Sequence, residues 1–179
     1  MVNDAPVIRR YHPRDFPDVV EVFLRSVGEV AAKDYSEAQT RAWAQIDEQR
    51  WMVRLSHAWT FVACYQDELA GFITLERDGH LDLLFVHPDY QRQKTATALL
   101  NRLESQARAQ NIATLFTEAS ITARPFFELH GFKVITKQTV ALRGEELVNY
   151  RMQKWLGEAL TLLEYRELSE SKRATSRCP

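Results

Sequence analysis

Leu81-Asp82-Leu83-Leu84-Phe85-Val86-His87-Pro88-Asp89-Tyr90-Gln91-Arg92-Gln93-Lys94-Thr95-Ala96-Thr97-Ala98-Leu99-Leu100 is the stretch whose reading decides the fold. Leu81 to Val86 is an apolar strand, and His87-Pro88-Asp89-Tyr90 turns out of it. The polar loop Gln91 to Ala96 then opens a helix that begins at Thr97 and carries Leu99, Leu100, Leu103 and Ala107 on one face. A helix entered this way presents free backbone N–H groups and the positive end of its dipole beside a strand end. Its natural guest is a phosphate or pyrophosphate. Taken alone, the same loop also reads as a plain connection, with Arg92 and Lys94 as solvated charges.

The elements on either side build a mixed α/β domain. Upstream, Val7 to Tyr11 is a short strand, and Asp15 is a candidate N-cap for a helix carrying Val19, Val20, Phe23, Leu24 and Val27. Ser36 with Glu37 starts a second helix, and Asp47 to His57 forms a third. Trp59–Tyr65 and Leu69–Glu76 are strands around a Gln66-Asp67-Glu68 turn, and Asp78-Gly79 signals a two-residue hairpin into the Leu81 strand. Downstream, Asn111 stops the long helix and Ala113 to Ala119 is a strand. Ser120 or Thr122 caps a short helix through Leu129, with Pro125 in its first turn and Gly131 just past its end. Lys133–Ala141 and Leu147–Met152 complete seven strand candidates around an Arg143-Gly144-Glu145 turn. Residues 1–156 therefore read as one domain. Residues 157–179 read as a helical extension fading into a mobile tail.

Composition narrows the function classes. The 179 residues are 45% hydrophobic and 26% charged, and 23 basic against 24 acidic side chains leave a formal charge of −1. That balance gives no electrostatic case for nucleic acid or an anionic membrane. No apolar run approaches the roughly 20 residues of a membrane helix. Cys64 in an apolar run and Cys178 near the end make a poor disulfide pair, so a reduced, cytoplasmic protein is expected. The histidine and cysteine spacing asks for no metal. No Gly-rich dinucleotide fingerprint follows the strand.

Val86-His87-Pro88-Asp89-Tyr90-Gln91, the helix with Ala98-Leu99-Leu100, and Ala123 through Phe127-Glu128-Leu129-His130-Gly131-Phe132 together resemble the GNAT superfamily of acyl-CoA N-acyltransferases, over roughly residues 7 to 155. Tyr35-Ser36, Ala42-Trp43-Ala44, Glu118 through Ala123, and Asn149 through Met152 are similar to one bacterial branch of small GNAT proteins. The resemblance implies a central, mostly antiparallel mixed sheet flanked by helices, with acetyl-coenzyme A as cosubstrate. It implies that Leu84, Phe85 and Val86 line the pantetheine arm. Gln91, Arg92, Gln93, Lys94, Thr95, Ala96 and Thr97 would hold the pyrophosphate, and Ser120 and Phe127 would sit at cofactor-contacting positions. The acceptor would be a small-molecule or peptide amine; the oligomeric state stays open, a homodimer being one option because the late strands of the family often pair across dimers.

Three positions depart from the family pattern. Lys94 stands where the loop has a glycine able to take positive φ. Ser120 replaces an asparagine, and Phe127 replaces the tyrosine that protonates the departing thiolate. Asp82, inside an apolar strand, reads either as a base with a burial-raised pKa or as the partner of an arginine. Glu118 reads as a base or as a helix cap, and Tyr150 as a substitute acid or a core tyrosine. Tyr35 and Trp43 read as an aromatic wall of the acceptor groove or as helix packing. His87 and His130 read as surface side chains. The expected activity is direct acetyl transfer to a primary amine in a ternary complex. The rival, favoured by Lys94 and Phe127, is a non-catalytic module of the same fold that senses acyl-CoA or binds a protein.

Overall fold

The computed structural model describes residues 5–157. From residue 158 onward the expected extension and tail lie outside those residues, as does Cys178. The chain runs β1 (Val7–Arg10), α1 (Phe16–Arg25), α2 (Glu37–Trp43), α3 (Glu48–His57), β2 (Trp59–Tyr65), β3 (Glu68–Leu75), β4 (Leu81–Val86), α4 (Thr95–Ala109), β5 (Thr114–Ser120), α5 (Arg124–Leu129), β6 (Lys133–Leu142) and β7 (Glu145–Trp155). All seven expected strands form. They divide into a four-stranded sheet, β1-β2-β3-β4, and a three-stranded sheet, β5-β7-β6, each antiparallel. One parallel bridge, His80 to Phe116, joins the two.

The central strands are buried on both faces, which is why β2 and β3 read as nearly continuous apolar runs. Alternation assigns each side chain to a face. Phe61, Ala63, Ile73 and Leu75 meet Leu99, Leu100, Leu103 and Ala107 of α4, and this core continues to Leu115, Phe127 and Met152. Val62, Cys64 and Phe72 turn the other way, onto Phe16, Val19, Val22 and Phe23 of α1 and Trp51 and Leu55 of α3. Gly71 lets α4 and β4 approach, since a Cβ there would lie 2.8 Å from the Phe85 carbonyl and 3.2 Å from Leu99.

Three local expectations change. Asp15 does not cap α1; its carboxylate takes two hydrogen bonds from Arg9, at 2.7 and 2.8 Å, and closes a capping box on the 3₁₀ turn behind His12. For the buried Asp15 carboxylate, a bidentate guanidinium outcompetes a helix end. The β3–β4 turn is not a two-residue hairpin. Arg77-Asp78-Gly79 form a three-residue loop closed by Glu76 N–H to the His80 carbonyl at 2.8 Å, with Gly79 at φ +95°. Finally, α4 starts at Thr95, two residues earlier than Thr97.

Tyr35 ties the N-terminal helices to the second sheet. Its buried hydroxyl donates to the Val148 carbonyl at 2.6 Å and accepts from the Ile121 amide at 2.9 Å. Tyr35→Phe keeps the ring and strands both backbone groups. Folded stability in a denaturant titration should fall by about 1–3 kcal/mol. A variant as stable as the parent would remove this bridge from the account.

Candidate active site

The site begins with a ladder that stops. β4 and β5 touch at the His80–Phe116 bridge and form no further ladder among the described residues. On its other edge β4 is fully engaged with β3. The His87 amide donates to the Ala70 carbonyl at 2.8 Å, and the Leu83 amide donates to the Thr74 hydroxyl at 2.9 Å. Strand alternation then aims the intervening Leu84 and Val86 amides the other way, across the opening. A bulge sets this phase: β3 advances from Ile73 to Leu75 while β4 goes from Leu84 to Leu81, so Asp82 and Leu83 together oppose Thr74.

Beyond β4 the chain takes two left-handed steps, Arg92 at φ +60° and Lys94 at φ +64°. Lys94 adopts the conformation for which a glycine is expected, at a cost of about 1–2 kcal/mol for an L-residue. The first bond of α4 runs from the Ala98 amide to the Lys94 carbonyl at 2.9 Å. The Thr95, Ala96 and Thr97 amides therefore have no acceptor within the helix. The loop is braced from beneath. The Thr95 hydroxyl donates to the Tyr90 carbonyl at 3.1 Å, and the Tyr65 hydroxyl donates to the Gln93 carbonyl at 3.1 Å. Tyr65 stacks on Tyr90 with ring centroids 5.0 Å apart, and Tyr90 hydrogen-bonds Glu68. Arg92, Gln93 and Lys94 are exposed, while Thr95 is buried. Gln91 is half-buried where the 3₁₀ turn Pro88–Tyr90 ends.

A cleft of about 400 Å³ continues from the opening between β4 and β5. Leu84, Phe85, Trp43, Asp82, Glu118 and Phe127 are among its walls. Trp43 stands edge-on between Tyr35 and Phe85, at centroid distances of 5.5 and 6.2 Å. Tyr35 also reaches the cleft, but its hydroxyl is spent on the backbone bridge. Phe127 is 2% exposed and packs its ring against Phe126 and Phe132. The Ser120 hydroxyl accepts from the Ala123 amide at 3.0 Å, so it caps the turn into α5 rather than standing free.

The carboxylates have distinct surroundings. Asp82 is bound through both oxygens by the Arg54 guanidinium, a bidentate pair at the cleft wall. Glu118 accepts from His80 Nε2 at 2.7 Å, and His80 Nδ1 lies 3.1 Å from Glu76. Burial pushes the His80 imidazole down, but the hydrogen bonds to Glu118 and Glu76 outweigh it, so it titrates above the ordinary histidine range. Sequence reading passed over His80. Glu76, four residues away, is a weak local hint, but Glu118 is 38 residues distant and only the fold brings it near. Tyr150 lies outside the cleft wall. It packs on the α4–α5 core with the Arg124 guanidinium 4.5 Å from its ring centroid. His130 and His87 are both tied down, His130 by the Phe126 carbonyl at 2.8 Å and His87 by Arg25 at 2.8 Å. Among the described residues no group of three or more His, Cys, Asp or Glu side chains is placed to hold a metal ion, and no helix is long and apolar enough to cross a membrane.

Known proteins resemble this chain in sequence and fold. Residues 31–154 match the model of the acetyltransferase (GNAT) domain. An uncharacterised N-acetyltransferase of Escherichia coli, YafP, is 40% identical over 146 residues, 82% of this chain and 93% of that protein. A GCN5-related N-acetyltransferase of Rhodopseudomonas palustris superposes with a TM-score of 0.83 at 37% identity, covering 87% of this chain and 98% of the other. The PaiA N-acetyltransferase of Thermoplasma acidophilum, solved in complex with coenzyme A, shares the fold at a TM-score of 0.71 and 20% identity, over 85% of this chain and 99% of its own. With its two sheets parted at β4 and β5, and with a full-length relative at this level of identity, the chain belongs to the GNAT family of acetyltransferases and is an acyltransferase.

Proposed function

We propose that the chain transfers the acetyl group of acetyl-coenzyme A directly to a primary amine held in the same cleft. The observation that carries this reading is the alignment of two sets of unpaired amides. Leu84 and Val86 face the opening, and the bare first turn of α4 follows on the same strand-to-helix path. Amides of this kind suit the pantetheine arm along Leu84–Val86 and the pyrophosphate over Gln91–Thr97. The E. coli and R. palustris relatives, both named N-acetyltransferases, support transfer to nitrogen.

The amine nitrogen attacks the thioester carbonyl carbon, and the carbon–sulfur bond breaks. Holding the two partners together supplies on the order of 7–11 kcal/mol of the barrier reduction. Glu118 lines the cleft and receives the proton of the incoming ammonium. Asp82, held by Arg54, shapes the wall and does not act as the base. Phe127 offers no proton to the departing sulfur. A thiol is acidic enough, near pH 8.5–9, for its anion to leave and take a proton from water. Trp43 and Phe85 favour an amine carried on an apolar or aromatic body. The same Phe127 favours the second reading, a module that binds acetyl-CoA without turnover.

Saturating acetyl-CoA at about a hundred times Kd should stabilise the fold by roughly 2.7 kcal/mol, a melting shift of about 5–10 °C, with no shift from ATP. Absence of a shift at millimolar acetyl-CoA would end the cofactor assignment. Lys94→Gly should relieve the left-handed strain and keep the shift, because the amides are the ligands. Loss of the shift would instead give the Lys94 ammonium a direct phosphate contact. Tyr150→Phe should leave kcat within about twofold, whereas removing a working general acid costs on the order of a hundredfold. A loss of that larger size would make Tyr150 the acid.

A further inference from the structure

We propose that His80 is a positioning residue: braced by Glu76 and Phe116, it holds the Glu118 carboxylate in place to receive the acceptor ammonium. This rests on the transfer reading above and names a device within that site.

The geometry is over-determined at His80. His80 stands opposite Phe116 at the bridge between the two sheets, where the preceding Gly79 carbonyl accepts from the Phe116 amide at 3.1 Å; the His80 carbonyl accepts from the Glu76 amide at 2.8 Å, and its own amide donates to Asp78 at 3.0 Å. Its ring lies flat on Phe116, with centroids 4.9 Å apart and planes 12° from parallel. Both ring nitrogens are within hydrogen-bond reach of carboxylate oxygens, Nε2 of Glu118 at 2.7 Å and Nδ1 of Glu76 at 3.1 Å. Only an imidazolium donates from both. Of the three groups, Glu118 alone lines the cleft. One Glu118 oxygen is thus fixed by His80. The other has no partner among the described residues and is left to a ligand.

The charges fit an acceptor that arrives protonated. Glu76, imidazolium His80 and Glu118 sum to −1, and the second Glu118 oxygen is open to an ammonium in competition with Arg151, the cation opposite it in the β5–β7 ladder. Nearby, Asp82 is balanced by Arg54. Burial works against the ring's charge, and the two carboxylates outweigh it, so the imidazolium persists above the usual histidine range. As pH rises through that raised value one ring N–H is lost, and a carboxylate loses its donor. Stability from this network is therefore full below the ordinary imidazole range and disappears as pH climbs through the raised one.

The test is a double-mutant cycle on acetyl-CoA-dependent thiol release, with 2-phenylethylamine as the probe amine suited to the Trp43–Phe85 wall. Wild type, His80→Gln, Glu118→Gln and the double variant are compared, and Glu76→Gln is followed across pH. His80→Gln should lower kcat roughly tenfold with the KM for acetyl-CoA unchanged, and it should cost nothing more in the Glu118→Gln background. Glu76→Gln keeps a partner for Nδ1 and removes the charge. It should move the alkaline limit of kcat/KM to lower pH, and the His80 imidazole titration seen by NMR should move with it. Additive losses in the cycle, or a pH limit that Glu76→Gln leaves in place, would reduce His80 to a sheet fastener and overturn the proposal. If His80→Gln does not fold, the Glu76→Gln profile and the imidazole titration decide alone. An acetyl-CoA melting shift with no wild-type turnover of the amine would remove the transfer reading, and the role of His80 with it.

Discussion

The structure depends on a hydrogen-bond ladder that stops after one rung. β4 and β5 are neighbours at His80 and Phe116, and then they part. A strand inside a domain cannot leave its backbone amides unsatisfied without cost, so such an edge is kept only where something else supplies the partners. The two sheets on either side share one core and the first has a second core of its own. The α4 core buries one face of the first sheet and continues under the second, while the α1–α3 core buries the other face of the first. Rigid flanks of this kind keep the opening from closing on itself. At its narrow end Gly79 passes so close to the Thr114 carbonyl that no side chain fits, which lets the two sheets meet at that point.

Electrostatics and strain are concentrated around the same gap. Two left-handed residues, Arg92 and Lys94, flank Gln93 just before the bare turn of α4. Neither is a glycine, and both are tolerated because Tyr65, Tyr90 and Thr95 hold the loop from below. The acidic groups of the cleft each meet a basic side chain, Asp82 the Arg54 guanidinium and Glu118 the His80 ring. One is closed on both oxygens and the other on one. That difference in coordination leaves one Glu118 oxygen without a side-chain partner among the described residues, while Asp82 has none to spare.

Much of this was legible in the chain. The seven strands, the long helix and the short helix after β5 follow from local periodicity and capping, where one residue's neighbours in sequence are also its neighbours in space. The Gly131 and Asn111 stops adopt positive φ as their residue types suggest. Some side-chain partners are not set by the helical or strand period. Asp15 pairs with Arg9, six residues back, instead of the α1 amides, and the Tyr35 hydroxyl bonds the Val148 carbonyl, 113 residues away. Tyr150 and Glu118 sit one residue apart in β7–β5 register, yet pleat alternation puts them on opposite faces of the sheet.

By itself, then, the sequence determined the elements, their order, the strand–loop–helix passage from β4 into α4 and the family, because each is encoded in contiguous residues at fixed spacing. Tertiary structure alone decided the rest. It divided the strands into two sheets, turned the Leu84 and Val86 amides toward the gap through the bulge at Asp82 and Leu83, and chose Arg54 for Asp82 and His80 for Glu118. The physical reason is that a carboxylate's role is set by which donors reach it. Donors brought from 28 and 38 residues away leave no mark in the local pattern.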